Sequence, residues 1–302
     1  MTEPVLGIAH SKISGPMPAG ACDCHVHVFG PPGRYAFAEN RTFMPSPVTV
    51  DDLVQFQKIL GIDRSVVVQA SPQGTDNTCL LDTLQALRDQ GKESRGVAVV
   101  DPSITDKELE HLHAAGVRGL RVNLQSYGIS SPDIAASRLQ ATTRIAASMG
   151  WHVQIYTHLG VLDALSDTLS NLPVPLVIDH FGLAHASAGT RQPGFSTLLD
   201  LVKDGLAYVK LSAPYRIIEH PLGADGEPIA RALIEANPDQ MLWGTDWPHT
   251  SPPPGMLRKR DTPEPLLPVD DGQQFNIFAQ WTTVAERHRI LVDNPARLYA
   301  FT

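Results

Sequence analysis

The chain has 302 residues, 42% of them hydrophobic and 19% charged. That is enough to enclose a large core, and an α/β barrel of this length commonly forms one domain. The formal net charge of −8 weighs against nucleic acid or an anionic membrane as a partner for the surface as a whole, because both would be repelled before contact.

The opening stretch MTEPVLGIAHSKISGPMPAG has no basic leader and no continuous apolar run, so it matches neither a secretory signal nor a membrane span. Cytoplasmic residence is the resulting expectation, with residues 1–20 an N-terminal extension to a single domain covering 1–302. The three cysteines, Cys22, Cys24 and Cys79, cannot all pair within the chain and lack the spacing of a zinc ribbon or a redox pair. They read as free thiols.

Ala21 to Val28 is the first predicted strand. A proline-rich stretch, Phe29 to Ser46, follows it, and then Val50 to Leu60, where Val50, Leu53, Phe56 and Leu60 recur at helical spacing. Further strands are predicted at Ser65 to Gln69 and Gly96 to Val100. A helix at Asp106 to Ala115 is opened by the capping box of Thr105 with Glu108 and stopped at Gly116. The remaining apolar runs are Gly119 to Leu124, His152 to Tyr156, Pro175 to Asp179, Ala207 to Leu211 and Gln240 to Gly244, with a second long loop at Trp247 to Asp271.

Strands that are almost continuously apolar and alternate with helices predict a parallel sheet with helices on its outside. The early strands are followed by no Gly-x-Gly-x-x-Gly or phosphate-loop sequence, so a closed (β/α)8 TIM-like barrel is the better expectation than a nucleotide-binding open sheet. Both long loops directly follow strands. In a barrel they lie on the face where chemistry occurs, either covering a site or serving as ordinary surface.

DCHVHVFGPP, Asp23 to Pro32, is the most informative segment. Strand parity sends His25 and His27 to one face together with Asp23, and turns Cys22, Cys24 and Val26 outward. Two further strand ends carry polar residues, His180 in LVIDH and Asp246 in MLWGTDWPH. Burying such groups costs roughly 1 to 3 kcal/mol each unless partners or a metal compensate, which favours function. The plain alternatives are a hydrogen-bonded structural histidine at 180 and a helix N-cap at 246.

In VRGLRVNL, Arg121 and Asn123 share a face and Arg118 takes the other. An inward Arg121 needs an anion, either a protein carboxylate or a substrate carboxylate. Arg216 in VKLSAPYR is similarly placed, Gln154 and Tyr156 end one strand on a common face, and Ser71 follows another. His152, His158, His185 and His249 are reserve candidates, with surface or loop roles expected for most.

Taken together, DCHVHVFGPP, VVVQASPQGTDN, RGVAVVD, GVRGLRVNL, GWHVQIY, LVIDHFG, VKLSAPYR, MLWGTDWPH and LVDNPARLYAF resemble, in order, the amidohydrolase superfamily. The resemblance is strongest to its branch of 2-pyrone-4,6-dicarboxylate lactonases and related sugar-lactone hydrolases and isomerases. It implies a distorted barrel that opens a small carboxylated lactone. Asp246 would activate water, and His25, His27 and His180 would gather round the substrate carbonyl. Arg121, Tyr156 and Arg216 would contact substrate oxygens, with Ser71 in addition.

The chain departs from the pyrone-dicarboxylate pattern at Leu183, where those lactonases have an arginine. The resemblance leaves the cofactor as either none or a single zinc on His25, His27 and either His180 or Asp246. The usual bridging lysine has no counterpart in VRGLRVNL, which argues against a binuclear centre. Rival readings are a zinc-dependent non-oxidative decarboxylase of the same superfamily, a lactone isomerase and a non-catalytic small-acid binding protein. The oligomeric state stays open, a homo-oligomer included.

Overall fold

A computed structural model describes residues 4–31, 33–218, 226–252 and 256–302. Pro32, at the end of the DCHVHVFGPP segment, and residues 253–255 of the second long loop lie outside the described residues. Eight strands form the main sheet: β1 (Cys22–Val26), β2 (Arg64–Val68), β3 (Glu93–Ala98), β4 (Val117–Asn123), β5 (His152–Tyr156), β6 (Leu176–Ile178), β7 (Ala207–Ser212) and β8 (Met241–Gly244). They lie in sequence order with every ladder parallel. All the predicted strands are present, each within three residues of its expected bounds.

The seam between β8 and β1 is closed just beyond the end of β8. There the Asp246 N–H donates to His25 O at 2.9 Å and the His27 N–H to Trp247 O at 2.8 Å. Outside the sheet, Leu120, Val122, Val153, Ile155, Leu176, Ile178, Val209 and Leu211 join the helices in one large core. The helix Val50–Leu60 buries Leu53, Phe56 and Leu60 behind a capping box at Thr49. The helix Asp106–Ala115 has the expected box at Thr105 and ends at Gly116, whose φ of 108° suits a residue without a Cβ.

A second cluster lies within the barrel. Cys22 and Cys24 of β1 pack with Val66, Val68, Val97, Val177, Tyr208 and Leu242 from five other strands, over Tyr299 and Phe301 of the C-terminal segment. Residues from so many strands meet only in the lumen, so the parity expected for β1 is corrected: the cysteines point inward. The β1–β2 register shifts between Asp23 and Val26. Such an irregularity lets consecutive residues face the same side, and His25 and His27 reach the lumen above the cysteines. By the same correction Asp23, between two inward cysteines, turns the other way. Its carboxylate accepts from the Thr245 N–H at 3.0 Å, the Thr245 hydroxyl at 2.5 Å and the His25 N–H at 3.1 Å.

The two long loops meet over the C-terminal face, so the covering role is the one observed. Met44–Pro45 and Pro263–Glu264 form a short parallel ladder. It is reinforced by Met44 N–H to Lys259 O at 3.0 Å, Ser46 Oγ to Glu264 O at 2.6 Å and Arg41 Nε to Arg260 O at 2.8 Å. At the opposite end, the His152 ring meets the Tyr299 ring edge-on at 5.1 Å between centroids. A Cβ on Gly119 would run into that imidazole. We therefore expect Gly119→Ala to lower stability by about 1 to 3 kcal/mol through overpacking, read as a lower urea midpoint; an unchanged midpoint would mean the barrel floor is packed loosely.

Candidate active site

The C-terminal ends of β1 and β6 and the turn after β8 bring the four candidate side chains to one point. His25 Nε2 lies 3.2 Å from His27 Nε2, and Asp246 Oδ1 lies 3.5 Å from each of them and 3.8 Å from His180 Nε2. All four residues are buried. Asp246 and His180 take φ values of 67° and 50°. The left-handed region is unfavourable for residues with side chains and persists only where the surroundings hold it. A turn, with no helix, follows Asp246, which removes the N-cap alternative.

Beneath these groups lies a layer the sequence reading did not assemble. Asp179 Oδ2 accepts from Arg121 Nη2 at 3.1 Å, Arg121 Nε at 3.3 Å and Gln154 Nε2 at 3.1 Å. Its Oδ1 lies 3.3 Å from His25 Nδ1 and 3.5 Å from the Lys210 ammonium, which also donates to Gln154 Oε1 at 2.7 Å. Arg121 thus takes the protein-carboxylate option of the two left open, while its edge still lines the cavity above. The signals for this layer were Lys210, a charge inside an otherwise apolar strand, and Asp179, the residue before His180.

Arg216 likewise has a carboxylate partner within the protein. Instead of reaching only outward to substrate, its Nη2 and Nε donate to Asp246 Oδ2 at 2.6 and 3.0 Å, and its Nη1 to the Tyr156 hydroxyl at 3.4 Å. Tyr215, which the sequence reading passed over, donates to the same Oδ2 at 2.7 Å. Ser71, Tyr156, Arg121 and Arg216 all line the cavity of about 240 Å³ that opens onto His27, His180 and Asp246. Arg258, from the second long loop, lines it too, with its guanidinium 3.7 Å above the Phe43 ring and paired to Glu264. Leu183 turns at φ 53° just beyond His180 and takes no place among the cavity-lining residues.

Of the reserve histidines, His152 sits on the barrel floor, His158 precedes the helix Leu159–Ala164, and His185 is exposed. His249 departs from the surface role expected for most of them: it is buried, with Nε2 2.9 Å from Asp271 Oδ2.

Burial pushes the Asp246 carboxyl up, but the Arg216 guanidinium and the neighbouring imidazoles more than offset it, holding the group well below the usual carboxylate range. Burial lowers His180 to about 3, and burial with the Lys210 cation lowers His25 well below its ordinary value. His27 Nδ1 faces Val68 O at 2.7 Å, so Nδ1 donates there and, in the uncharged ring, the lone pair is on Nε2.

His25 then has two consistent states. If Lys210 donates to its Nδ1, its Nε2–H bridges to His27 and the site is complete without an ion. If instead Nδ1–H points to Asp179, two nitrogen lone pairs and a carboxylate oxygen converge, a donor set that calls for a cation. The separations of 3.2 to 3.8 Å fit it: bonds of about 2.0 to 2.1 Å in a tetrahedron give edges near 3.3 Å. His25, His180 and Asp246 by themselves bring donor atoms within 4.8 Å of one another.

A parallel barrel with imidazoles and a carboxylate at its strand ends defines an enzyme of the TIM-barrel type. The chain belongs to the amidohydrolase family, whose model matches residues 22–301. It is 36% identical over 300 residues to a 2-pyrone-4,6-dicarboxylate hydrolase of Comamonas testosteroni, covering 96% of this chain and 93% of the relative. It is 33% identical over 288 residues to a 4-sulfomuconolactone hydrolase of Hydrogenophaga intermedia, covering 94% and 89%. A solved structure of a probable 2-pyrone-4,6-dicarboxylic acid hydrolase from Acinetobacter baumannii, with citric acid bound, superposes with a TM-score of 0.78 at 26% identity, covering 93% of this chain and all of the other.

The same environments set a pH dependence of stability. His25, His152 and His180 are neutral when folded, with His152 and His180 lowered to about 3, but they bind protons below about 6.5 when unfolded. Their contribution is therefore lost as pH falls from about 6.5. Asp23, raised by burial to about 7, acts in the opposite sense, but burial lowers His10 and His113 as well, so the histidines outnumber it. We expect the urea midpoint to drop steadily between pH 6.5 and 4.5; a flat or rising midpoint would refute these environments.

Proposed function

We propose that this protein hydrolyses a small carboxylated lactone, with Asp246 as the base and the three imidazoles gathered at the reacting carbonyl. The observation that carries the reading is the division of labour at Asp246: Oδ2 is filled by Arg216 and Tyr215, whereas Oδ1 faces the three Nε2 atoms and the cavity. A carboxylate with one oxygen anchored and the other turned to the cavity has the geometry to accept a proton from water.

In the attack, the water proton passes to Asp246 Oδ1 and the oxygen bonds to the lactone carbonyl carbon. His180, whose Nδ1 lies 2.8 Å from Ser212 Oγ, presents Nε2–H to the developing oxyanion when that hydroxyl donates. Collapse breaks the ring C–O bond, and Asp246 returns its proton to the departing ring oxygen. The new carboxylic acid ionises at neutral pH. A divalent ion such as zinc, held by Asp246 with His25, His27 or His180, would polarise the carbonyl and acidify the water.

The arginines on the cavity wall support a carboxylated substrate, since Arg121 and Arg258 keep edges in the cavity while paired to Asp179 and Glu264. Leu183 favours a lactone other than pyrone dicarboxylate, because the arginine typical of that subgroup is absent. Cytoplasmic residence is supported by three buried cysteines without a disulfide. Among the described residues, no helix is long and apolar enough to cross a membrane.

The decisive assay is proton release from a panel of carboxylated pyrone, muconolactone and sugar lactones, with and without a chelator. Asp246→Asn should abolish turnover in a protein that still folds but melts lower because Arg216 loses its counter-charge, a loss of at least about 10³-fold in kcat. Near-normal turnover would sink the assignment of the base. Release that survives chelation would establish the proton-bridged histidine pair, and loss restored by zinc the ion-bound one. Carbon dioxide in place of acid would identify a decarboxylase.

A further inference from the structure

Behind the cavity, a line of buried polar groups runs from Asp246 to the N-terminal segment. The Tyr215 hydroxyl donates to Asp246 Oδ2 at 2.7 Å, and its oxygen lies 3.4 Å from His249 Nδ1, with the two rings edge-on at 5.6 Å. His249 Nε2 is 2.9 Å from Asp271 Oδ2. The backbone N–H of Asp271 donates to His10 Nδ1 at 3.2 Å. Ser11 completes the tie through its N–H and hydroxyl to Asp270, at 2.8 and 2.5 Å. Asp246, His249, Asp271 and His10 are each 1% exposed.

A brace joining a loop to the helix Asp271–Gln280 needs no polar groups; apolar packing would serve without the cost of burying an imidazole and a carboxylate. The line ends on one particular oxygen. Arg216 reaches Oδ2 from one side, and a single donor group leaves a carboxylate free to swing about its Cβ–Cγ bond. A second donor from another direction fixes the carboxylate plane and leaves Oδ1 as the only oxygen offered to water.

We propose that Tyr215, seated by His249 and Asp271, is a positioning residue that fixes the Asp246 carboxylate, and that the N-terminal segment supports this line through His10. The inference rests on Asp246 being the base. His249 and Asp271 touch no substrate in this arrangement; they act only through Tyr215.

The test is a double-mutant cycle on the lactone turned over fastest by the wild type, with melting temperatures recorded for each variant. Tyr215→Phe should lower kcat by about 10- to 100-fold and shift KM by less than about threefold, because orientation of the base is lost while the arginine contacts remain. His249→Phe should lower kcat by at least about fivefold, and adding it to Tyr215→Phe should cost nothing more. His249→Gln, which keeps a donor for Asp271, should recover most of the loss. If His249→Phe does not fold, Asp271→Asn takes its place in the cycle.

Multiplicative losses in the double variant, or an unchanged kcat for Tyr215→Phe, would overturn the proposal while leaving Asp246 as the base. Silence of the wild type on every lactone would instead remove the functional reading, and the positioning claim is then decided by a crystal structure of Tyr215→Phe. Rotation of the Asp246 carboxylate supports it, and an unmoved carboxylate overturns it.

Discussion

The arrangement depends on one buried carboxylate. Among the described residues, Asp179 carries the one negative charge in a layer that also holds Arg121 and Lys210, and it lies against His25. Removing such charges from water is expensive and is offset only where the contacts are close and mutual. Burial pushes Asp179 up, yet His25, Lys210 and Arg121 together hold it well below the usual carboxylate range. The surplus of positive charge in this layer, added to burial, keeps the imidazole above it neutral. The neutral His25 ring offers a lone pair at Nε2 to the cluster whenever its Nδ1–H points to Asp179.

Backbone strain is concentrated in the same place. Among the described residues, His180, Phe181, Leu183, Ala213, Asp246 and His249 all adopt left-handed φ values, and all lie just beyond the ends of β6, β7 and β8. Each such residue costs of order 1 to 3 kcal/mol, which the extensive outer core is placed to absorb. The turns aim side chains at a common centre that an unstrained backbone would spread apart.

The fold was legible because its signals were local. Eight apolar runs, the capping box at Thr105 and the glycine after the helix at Asp106–Ala115 each depend on a few adjacent residues. The cluster of His25, His27, His180 and Asp246 was legible for a related reason, since polar residues at strand ends have few structural explanations. What escaped was set by distant partners. A shift in register at β1 put Cys22 and Cys24 inside and Asp23 outside, and alternation alone could not announce it. Arg121 and Arg216 were recognised as cations in need of anions, but only the three-dimensional arrangement shows that Asp179 and Asp246 already hold them. Lys210 stood out as a charge within an apolar strand, but its partners lie on other strands, and Tyr215 and Asp271 lay in segments where nothing in the spacing distinguished them from loop residues.

The barrel seam has a further consequence. It is closed by hydrogen bonds from Asp246 to His25 and from His27 to Trp247, so the first and last strands are joined through the same residues that form the candidate site. A nascent chain carries the histidine pair from an early stage of synthesis, yet the Asp246 carboxylate does not face it until the eighth strand has left the ribosome. The candidate site and the topology are completed in the same event, and a chain cut before the eighth strand would retain the histidine pair of the first strand while possessing neither a sealed cylinder nor the carboxylate that faces the pair.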